Sequence, residues 1–157
     1  MPGKVRGAEP LFRRSLAIRE QVMGADHPDT AVSLNNLAAL YESQGRYEAA
    51  EPLYRRSLAI KEQVMGADHP LTANSLNNLA VLHCHQNRWG EAERLLLRAW
   101  KIRVQQLGET HPHTQSSLRS LYSLVQAALQ QGRAAELSDH PLTQAILKQL
   151  TTPPEIP

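Results

Sequence analysis

The chain has 157 residues, of which 41% are hydrophobic, 20% are charged and 4% are aromatic, and its formal net charge is +2 at pH 7 with neutral histidines. So small a charge does not favour nucleic acid or an anionic membrane as a partner, and no uninterrupted apolar stretch predicts a transmembrane helix. A single cysteine, Cys84, excludes an internal disulfide and suits a reducing compartment. The N-terminal stretch lacks the apolar segment of a secretory signal, so we expect a cytoplasmic protein.

The dominant feature of the sequence is an internal repeat of 42 residues. Residues 8–44 and 50–86 are identical at 29 of 37 aligned positions, and a third, more divergent copy covers 108–124. A fourth echo, at 139–150, follows a shortened connection. A repeat of this length predicts an array of similar units that bury their apolar faces against their neighbours.

Each repeat predicts two helices, named here the A helix and the B helix. The A helix begins after His27, because proline is preorganised for the first helical position and the histidine then occupies the cap position. Its buried stripe contains Leu34, Leu37, Leu40 and Tyr41. A glycine ends each helix of the first complete repeat, as a residue free to adopt positive φ does. The B helix runs from about 47 to 64, with inward positions at Ala50, Leu53, Tyr54, Ser57 and Leu58. No segment alternates as a strand would, so the predicted fold class is all-α.

In chain order, the pattern predicts an array with incomplete ends. The segments are a disordered N-terminus (1–7), a lone B helix or half repeat (8–24), two complete repeats (25–66 and 67–108), a degenerate repeat (109–137), a terminal helix (139–150) and a disordered tail (151–157). The first B helix has no A helix before it. We therefore expect its apolar face to be covered either by further chain or by self-association with a second molecule.

The repeat carries a recognisable set of packing residues. These are Leu34, Leu37, Ala38, Tyr41, Gly45, Tyr47, Ala50, Tyr54 and Ser57 in the first complete copy. They resemble the packing positions of the tetratricopeptide repeat, and the 42-residue period, longer than the usual 34 or so, resembles the repeats of kinesin light chains and nephrocystin-3. HEAT and armadillo repeats have a comparable period but lack the Gly-x-Tyr-x-x-Ala turn. The resemblance implies a right-handed α-solenoid of antiparallel helix pairs, whose concave face of A helices binds a peptide or protein partner.

The two closest copies differ at eight positions. These are Phe12/Tyr54, Arg19/Lys61, Asp29/Leu71, Val32/Asn74, Ala39/Val81, Tyr41/His83, Glu42/Cys84 and Ser43/His85. Six of them lie on the A helix. At about 100° per residue, five of the six share one face, opposite the buried stripe, and only Tyr41/His83 falls on the core side. Two interpretations stay open: selection of partner side chains on this face, or neutral drift of an exposed surface after duplication.

Asn35 and Asn77 lie on the same face and are unchanged between the copies. A side-chain amide donates and accepts hydrogen bonds, and the resemblance to kinesin light chains implies that these amides hold the main chain of a bound peptide. Arg119 occupies the equivalent place in the third copy and suits an acidic side chain or carboxylate. The mixed charge of the face argues against a simple grip on a C-terminal carboxylate. The predicted peptide-binding groove consists of Val32, Asn35, Ala39, Glu42, Ser43, Asn74, Asn77, Val81, Cys84, His85, Ser116, Arg119, Ser123 and Gln126.

Two neighbouring asparagines and one histidine have structural interpretations instead. Asn36 and Asn78 point sideways, so we expect them to bond an adjacent helix or loop. His83 and His85 point to nearly opposite helix faces and cannot share a metal ion; His83 takes the place of Tyr41 and is expected to be a packed core residue.

No motif for catalysis is present, because the sequence has neither a glycine-rich phosphate loop nor a nucleophile elbow. Basic residues of the B helix alternate with glutamates, as on a solvated face. We therefore predict a non-catalytic protein-interaction scaffold that uses no cofactor and no metal and binds neither nucleic acid nor membrane. The alternatives are a structural or self-assembling repeat segment, or one arm of a larger signalling protein.

Overall fold

The computed structural model describes residues 2–152 of the chain, with side chains from Gly7 onward. Within these residues the chain forms seven α-helices and one short 3-10 helix, and no strand. The α-helices are α1 (Pro2–Met23), α2 (Pro28–Ser43), α3 (Tyr47–Met65), α4 (Pro70–His85), α5 (Trp89–Leu107), α6 (Pro112–Gln130) and α7 (Pro141–Thr151), and the 3-10 helix (Ala134–Glu136) lies between α6 and α7. Each helix from α1 to α6 packs mainly on its neighbours in sequence, and α7 packs on α6. The predicted all-α solenoid is confirmed: α2, α4 and α6 are A helices, and α1, α3 and α5 are B helices.

The repeated histidines cap the helices that follow them. Nδ1 of His27, His69, His111 and His140 accepts a hydrogen bond from the backbone N–H two residues later, at 3.1–3.2 Å. Each cap precedes a proline at the first helical position, where the missing N–H would have had no helical partner. Since Nδ1 accepts a bond, the proton of each neutral ring is on Nε2.

The turn between the A and B helices depends on a residue in the left-handed region. In the first complete repeat this residue is Gly45, with φ of 71°. In the second it is Asn87, with φ of 57°, the only non-glycine residue with positive φ among the described residues. Asparagine is one of the few residues that adopt this conformation readily, which explains how the second copy keeps the turn without glycine.

The buried stripe lies where the period predicts it. Leu34, Leu37 and Tyr41 of α2 are buried, and Leu40 is half-buried. In α3 the side chains of Ala50, Tyr54 and Ser57 are buried, whereas Leu53 and Leu58 are partly buried. These residues form clusters that join each helix pair to the next pair, as expected of a solenoid.

The ends of the array correct part of the predicted organisation. The first helix begins at Pro2 rather than at residue 8, so residues 2–7 extend this helix and are not the predicted disordered N-terminus. The terminal helix continues to Thr151. Residue 1 and the rest of the predicted disordered tail, 153–157, lie outside the described residues.

The third repeat has no B helix in the residues that follow α6. After the turn at Gly132 the chain forms only the 3-10 helix, and α7 then packs on α6. The buried carboxylate of Glu93 on α5 accepts hydrogen bonds from the backbone N–H of Ser138 (2.7 Å), from Oγ of Ser138 (2.7 Å) and from Oγ1 of Thr143 (2.6 Å). These bonds hold the start of α7 against the core of the second repeat.

Candidate functional site

The face formed by the A helices contains a cavity of about 660 Å³ between α4 and α6. Its floor includes Trp89 and Leu96 of α5. Seven of the predicted groove residues line it: Asn77, Val81, Cys84, His85, Ser116, Arg119 and Ser123. The other seven, Val32, Asn35, Ala39, Glu42, Ser43, Asn74 and Gln126, do not line this cavity.

The face on which the copies diverge is largely exposed. Val32 on α2 and Val81 on α4, at neighbouring positions of the face, are 45% and 48% exposed. Ala39 and Ser43 are also exposed, whereas Glu42 is half-buried. The helical-wheel assignment of this face is therefore confirmed. Large apolar side chains left in solvent on it offer contact area to a partner.

A hydrogen bond between asparagines joins the A helices of the two complete repeats. Nδ2 of Asn78 on α4 donates to Oδ1 of Asn35 on α2 over 2.8 Å. The structural role predicted for Asn78 is confirmed, and the acceptor oxygen of Asn35 is engaged within the protein. Asn36 is exposed, and the described residues show no hydrogen bond from its side chain.

The same bond is missing one repeat further along. Oδ1 of Asn77 is buried and has no hydrogen-bond partner among the described residues. The residue equivalent to Asn78 is Ser120, whose Oγ instead donates to the backbone oxygen of Ser116 over 3.1 Å. The indole N–H of Trp89 is a second buried polar group without a partner in the described part of the chain. Asn77 and Trp89 both line the cavity, so its walls hold hydrogen-bonding capacity that the described residues do not use.

Two of the divergent residues contact each other across the repeats. Nε2 of His85 lies 3.4 Å from Oε1 of Glu42, and the other carboxylate oxygen of Glu42 accepts a hydrogen bond from the hydroxyl of Tyr54 over 2.7 Å. The ring of His85 also stacks on that of Tyr47, with centroids 5.5 Å apart. Burial, together with the Glu42 carboxylate, raises the pKa of Tyr54. These contacts fix Glu42 and His85 in place and give the edge of the cavity a defined shape.

Cys84 and Asn74 are less available than the sequence suggests. Burial raises the pKa of the Cys84 thiol to about 11, so the side chain is a neutral, weakly polar part of the cavity wall at neutral pH. Oδ1 of Asn74 accepts a hydrogen bond from Nη2 of Arg103 over 2.6 Å. Asn74 therefore stabilises the junction of α4 with α5, whereas the sequence pattern predicts that it contacts a partner.

His83 occupies the core, as predicted from its equivalence to Tyr41. Its ring is buried, Nδ1 lies 3.3 Å from Oε1 of Gln86, and burial lowers its pKa. Among residues 2–152, no group of three histidine, cysteine, aspartate or glutamate side chains lies close enough together to hold a metal ion.

The floor of the cavity and part of its α6 wall were not predicted from the sequence. These residues are Trp89, Leu96, Ser120, Leu124, Ala127 and Gln131. Trp89 and Leu96 are the second-copy equivalents of the packing residues Tyr47 and Tyr54, a position that predicts a core role. Alignment of Ser120 with Asn78 was the one signal that could have indicated the missing hydrogen bond.

The stacked helix pairs with a cavity on their A-helix face define a helical-repeat protein. The tetratricopeptide repeat profile matches residues 3–63 and 44–103. The chain therefore belongs to the tetratricopeptide repeat family.

Solved structures show which kind of repeat this is. The chain is 27% identical to a kinesin light chain-like protein of Podosopora anserina with nearly identical TPR-like repeats, with a TM-score of 0.71 over 95% of this chain and 69% of that one. A second structure of that protein gives 26% identity and a TM-score of 0.70, over 97% of this chain and 71% of that one. The repeats are thus of the kinesin light chain type.

BtubC (BKLC) from P. vanneervenii shares the fold at 22% identity, with a TM-score of 0.73 over 99% of this chain. The chain spans 61% of the length of the BtubC chain. No curated protein matches the sequence. Within the described residues, no helix is both long and apolar enough to span a membrane.

Proposed function

We propose that the chain is a non-catalytic scaffold that binds a peptide segment of a protein partner in the cavity between α4 and α6. The observation that carries the proposal is the convergence of seven predicted groove residues on one cavity of about 660 Å³. Such a volume suits several side chains of an extended segment. Tetratricopeptide repeats typically mediate protein–protein interaction, and we expect the same of this chain in the cytoplasm.

The cavity indicates the chemistry of the segment. Arg119 forms no hydrogen bond or ion pair with another described residue, and it is the one lysine or arginine that lines the cavity. An acidic side chain of the partner would pair with it. Leu96 and Leu124 provide an apolar surface below it, and Asn77 offers its amide to the partner's backbone. We therefore expect an extended segment with an apolar residue close to an acidic one.

The test compares captured partners and then measures binding to a defined peptide. The wild-type chain, Asn77→Ala, Arg119→Glu and the control Asn36→Ala would each be used to capture proteins from a cell lysate, with mass spectrometry as the readout. Peptides tiled from a protein that wild type and the control retain would then be titrated by fluorescence anisotropy. We expect both cavity variants to bind at least about tenfold more weakly than the control, with unchanged circular dichroism.

Several outcomes would contradict the proposal. The first is that all four proteins capture the same partners, and the second is that the peptide binds the cavity variants and the control with equal affinity. The third is that a cavity variant loses affinity only when it also loses helical content by circular dichroism.

A second candidate function, self-assembly, rests on α1. Leu11 and Ile18 are 69% and 50% exposed, whereas Ile60, the equivalent of Ile18 in the next repeat, is 3% exposed because α2 covers it. Sedimentation velocity over a wide concentration range separates the two functions. A mass that rises with concentration and falls to that of a monomer in Ile18→Glu favours self-assembly, and a constant monomer mass excludes it.

A further inference from the structure

A second cavity, of about 240 Å³, lies where the start of α4, the end of α5 and the start of α6 meet. It is lined by Pro70, Leu71, Asn74, Arg103, Leu107, His111 and His113. None of these residues lines the cavity between α4 and α6, although Asn74 belongs to the groove predicted from the sequence. A function assigned here is therefore independent of the peptide site.

The cavity contains a buried cation without a buried anion. Arg103 is 5% exposed. Its Nη1 donates to the backbone oxygen of His113 (3.2 Å) and to Oγ of Ser117, and its Nη2 donates to Oδ1 of Asn74 (2.6 Å). All three acceptors are neutral, and the described residues place no carboxylate within ion-pair distance of the guanidinium. Burial accordingly lowers the pKa of Arg103.

The guanidinium also has unused donors. It carries five N–H groups, of which the three bonds use two on Nη1 and one on Nη2. The Nε–H and the second Nη2–H remain, and an oxyanion can accept from two such groups at once. A buried charge that meets only neutral groups is costly, so an anion in the cavity would compensate it.

The end of each B helix and the start of the next A helix form a junction, called here a corner: α1 with α2, α3 with α4, and α5 with α6. The internal repeat shows that the third corner, which contains this cavity, differs from the other two. Arg19 and Lys61, the equivalents of Arg103, also bond the serine of the following A helix, at 2.7 Å and 2.9 Å. The bond from cation to serine is therefore part of the scaffold. What changes is the second residue of that A helix, which is Asp29 in the first corner, Leu71 in the second and His113 in the third.

The rest of the corner adds hydrogen-bond donors and no acid. Because Nδ1 of His111 accepts from the backbone N–H of His113, its Nε2 carries the proton, and the ring of His113 lies 5.2 Å from that of His111. Glu109 belongs to the same loop but does not line the cavity.

The third corner has also lost an internal hydrogen bond. Thr30 and Thr72 donate to the carbonyls of Gly24 and Gly66. Oγ1 of Thr114, at the equivalent position, is buried with no partner in the described region.

We propose that this cavity is an oxyanion site, in which Arg103 holds a carboxylate or phosphate group through its two unused N–H groups and the ring of His111 donates a further bond. A carboxylate is planar and a phosphate is tetrahedral, and the test below uses one anion of each kind to distinguish them. Arg103 supplies the charge, and His113, which stands where the first corner has Asp29, adds no negative charge to the cavity wall.

The test follows thermal unfolding of the whole chain while sodium phosphate or sodium acetate replaces sodium chloride at constant ionic strength. A saturable rise in melting temperature with phosphate alone assigns a phosphate group, and a rise with acetate assigns a carboxylate; either supports the site. Generic salting-out by phosphate does not saturate. Peaks that move in ¹⁵N correlation spectra should belong to the corner of α4, α5 and α6.

Three variants separate this site from general electrostatics. His113→Asp reproduces the acid of the first corner and should abolish the saturable rise. Gln115→Asp adds the same charge to the same end of α6 at an exposed residue that does not line the cavity, and it should keep the rise. Arg103→Lys reproduces the second corner, keeps the bond to Ser117, and should raise the half-saturating concentration at least about tenfold. No saturable response in the wild type, or an equal response in His113→Asp, would overturn the proposal.

Discussion

The side-chain amide of Asn78 donates to Oδ1 of Asn35 over 2.8 Å and so joins the A helices of the two complete repeats. The next bond of this series is absent, because Ser120 stands where an asparagine would donate to Asn77. Ser120→Asn should restore it. A hydrogen bond to a buried acceptor stabilises a protein by about 1 kcal/mol, which corresponds to a rise in melting temperature of roughly 2–4 °C for a chain of this size. Differential scanning calorimetry measures the change.

The control for this prediction is Ser123→Asn, which adds the same side chain to an exposed position of α6 and should leave the melting temperature unchanged. If the peptide segment binds Asn77 as proposed, Ser120→Asn should also weaken peptide binding, since it engages that amide. Equal melting temperatures of the two variants would contradict the pairing of positions 77 and 120.

The leucines of the A helix support a second prediction. Leu37 and Leu79 are buried at equivalent positions in one cluster. Truncation of either to alanine should reduce the free energy of unfolding by about 2–5 kcal/mol, through lost burial and the cavity left behind. Leu11→Ala, on the exposed face of α1, is the matched control and should change the stability by less than about 0.5 kcal/mol. Urea unfolding curves that do not distinguish Leu79→Ala from Leu11→Ala would refute the core assignment.

Much of this architecture could be predicted because repeat packing is local and periodic. The stripe containing Leu34 and Leu37, the histidine caps and the turn at Gly45 all follow from the spacing within one repeat. The exposed face followed from the mismatches between copies. That Asn35 is engaged by Asn78 could not be predicted, because the contact joins residues 43 positions apart and depends on how closely two helices approach.

The end of the array was harder to predict for the same reason. The start of α7 carries the Asp-His-Pro-Leu-Thr signature of an A helix, yet only a 3-10 helix, and no B helix, lies between α6 and α7. Its position depends on Glu93, which lies 50 residues before its partner Thr143, and the 3-10 helix that precedes it packs closely on Gly90. Local patterns carry no information about such contacts.

A pH dependence is expected from His83. Burial lowers its pKa below the 6.5 of an unperturbed histidine, and the charge of Arg88 adds to this effect. The unfolded chain therefore binds a proton near pH 6.5 that the folded chain does not bind, so stability is full above that pH and falls as the pH drops through it. The loss due to this residue is at most about 1.4 kcal/mol per pH unit.

The comparison variant for this prediction is His83→Tyr, which reproduces Tyr41 of the first copy. There the phenol donates to Glu9 over 3.0 Å and lies under the guanidinium of Arg46, and Glu51 and Arg88 are their equivalents in the second copy. Urea unfolding at a pH above and a pH below 6.5 should show a larger loss for the wild type than for the variant. Equal losses would mean that His83 is not the group that titrates.

Gly90 gives a prediction about close packing. A Cβ atom at this position would lie 2.7 Å from the backbone oxygen of Glu136 in the 3-10 helix. Gly90→Ala should lower stability by about 1–3 kcal/mol through overpacking, even though alanine favours a helix. Gly7→Ala, which meets nothing within 4 Å, should instead gain up to about 1 kcal/mol. Chemical denaturation of both variants tests this; a gain in Gly90→Ala equal to that in Gly7→Ala would show that the 3-10 helix moves away freely.

The attachment of α7 depends on the buried carboxylate of Glu93. Glu93→Gln replaces one acceptor oxygen with an amide donor, so one of the groups that now donate to it, the N–H of Ser138 or the hydroxyls of Ser138 and Thr143, would face another donor. An unsatisfied buried donor costs about 1–3 kcal/mol, and that penalty falls on a helix that packs mainly against α6. We therefore expect hydrogen exchange of α7 amides to accelerate about tenfold or more, while α2 to α5 keep their protection.

Glu91→Gln is the control, because Glu91 lies on the same helix as Glu93 and pairs with Arg88 near the surface, where such pairs contribute about 0–1 kcal/mol. Unchanged exchange of α7 in Glu93→Gln, or acceleration spread evenly over all helices, would show that α7 does not depend on this carboxylate as a separate unit.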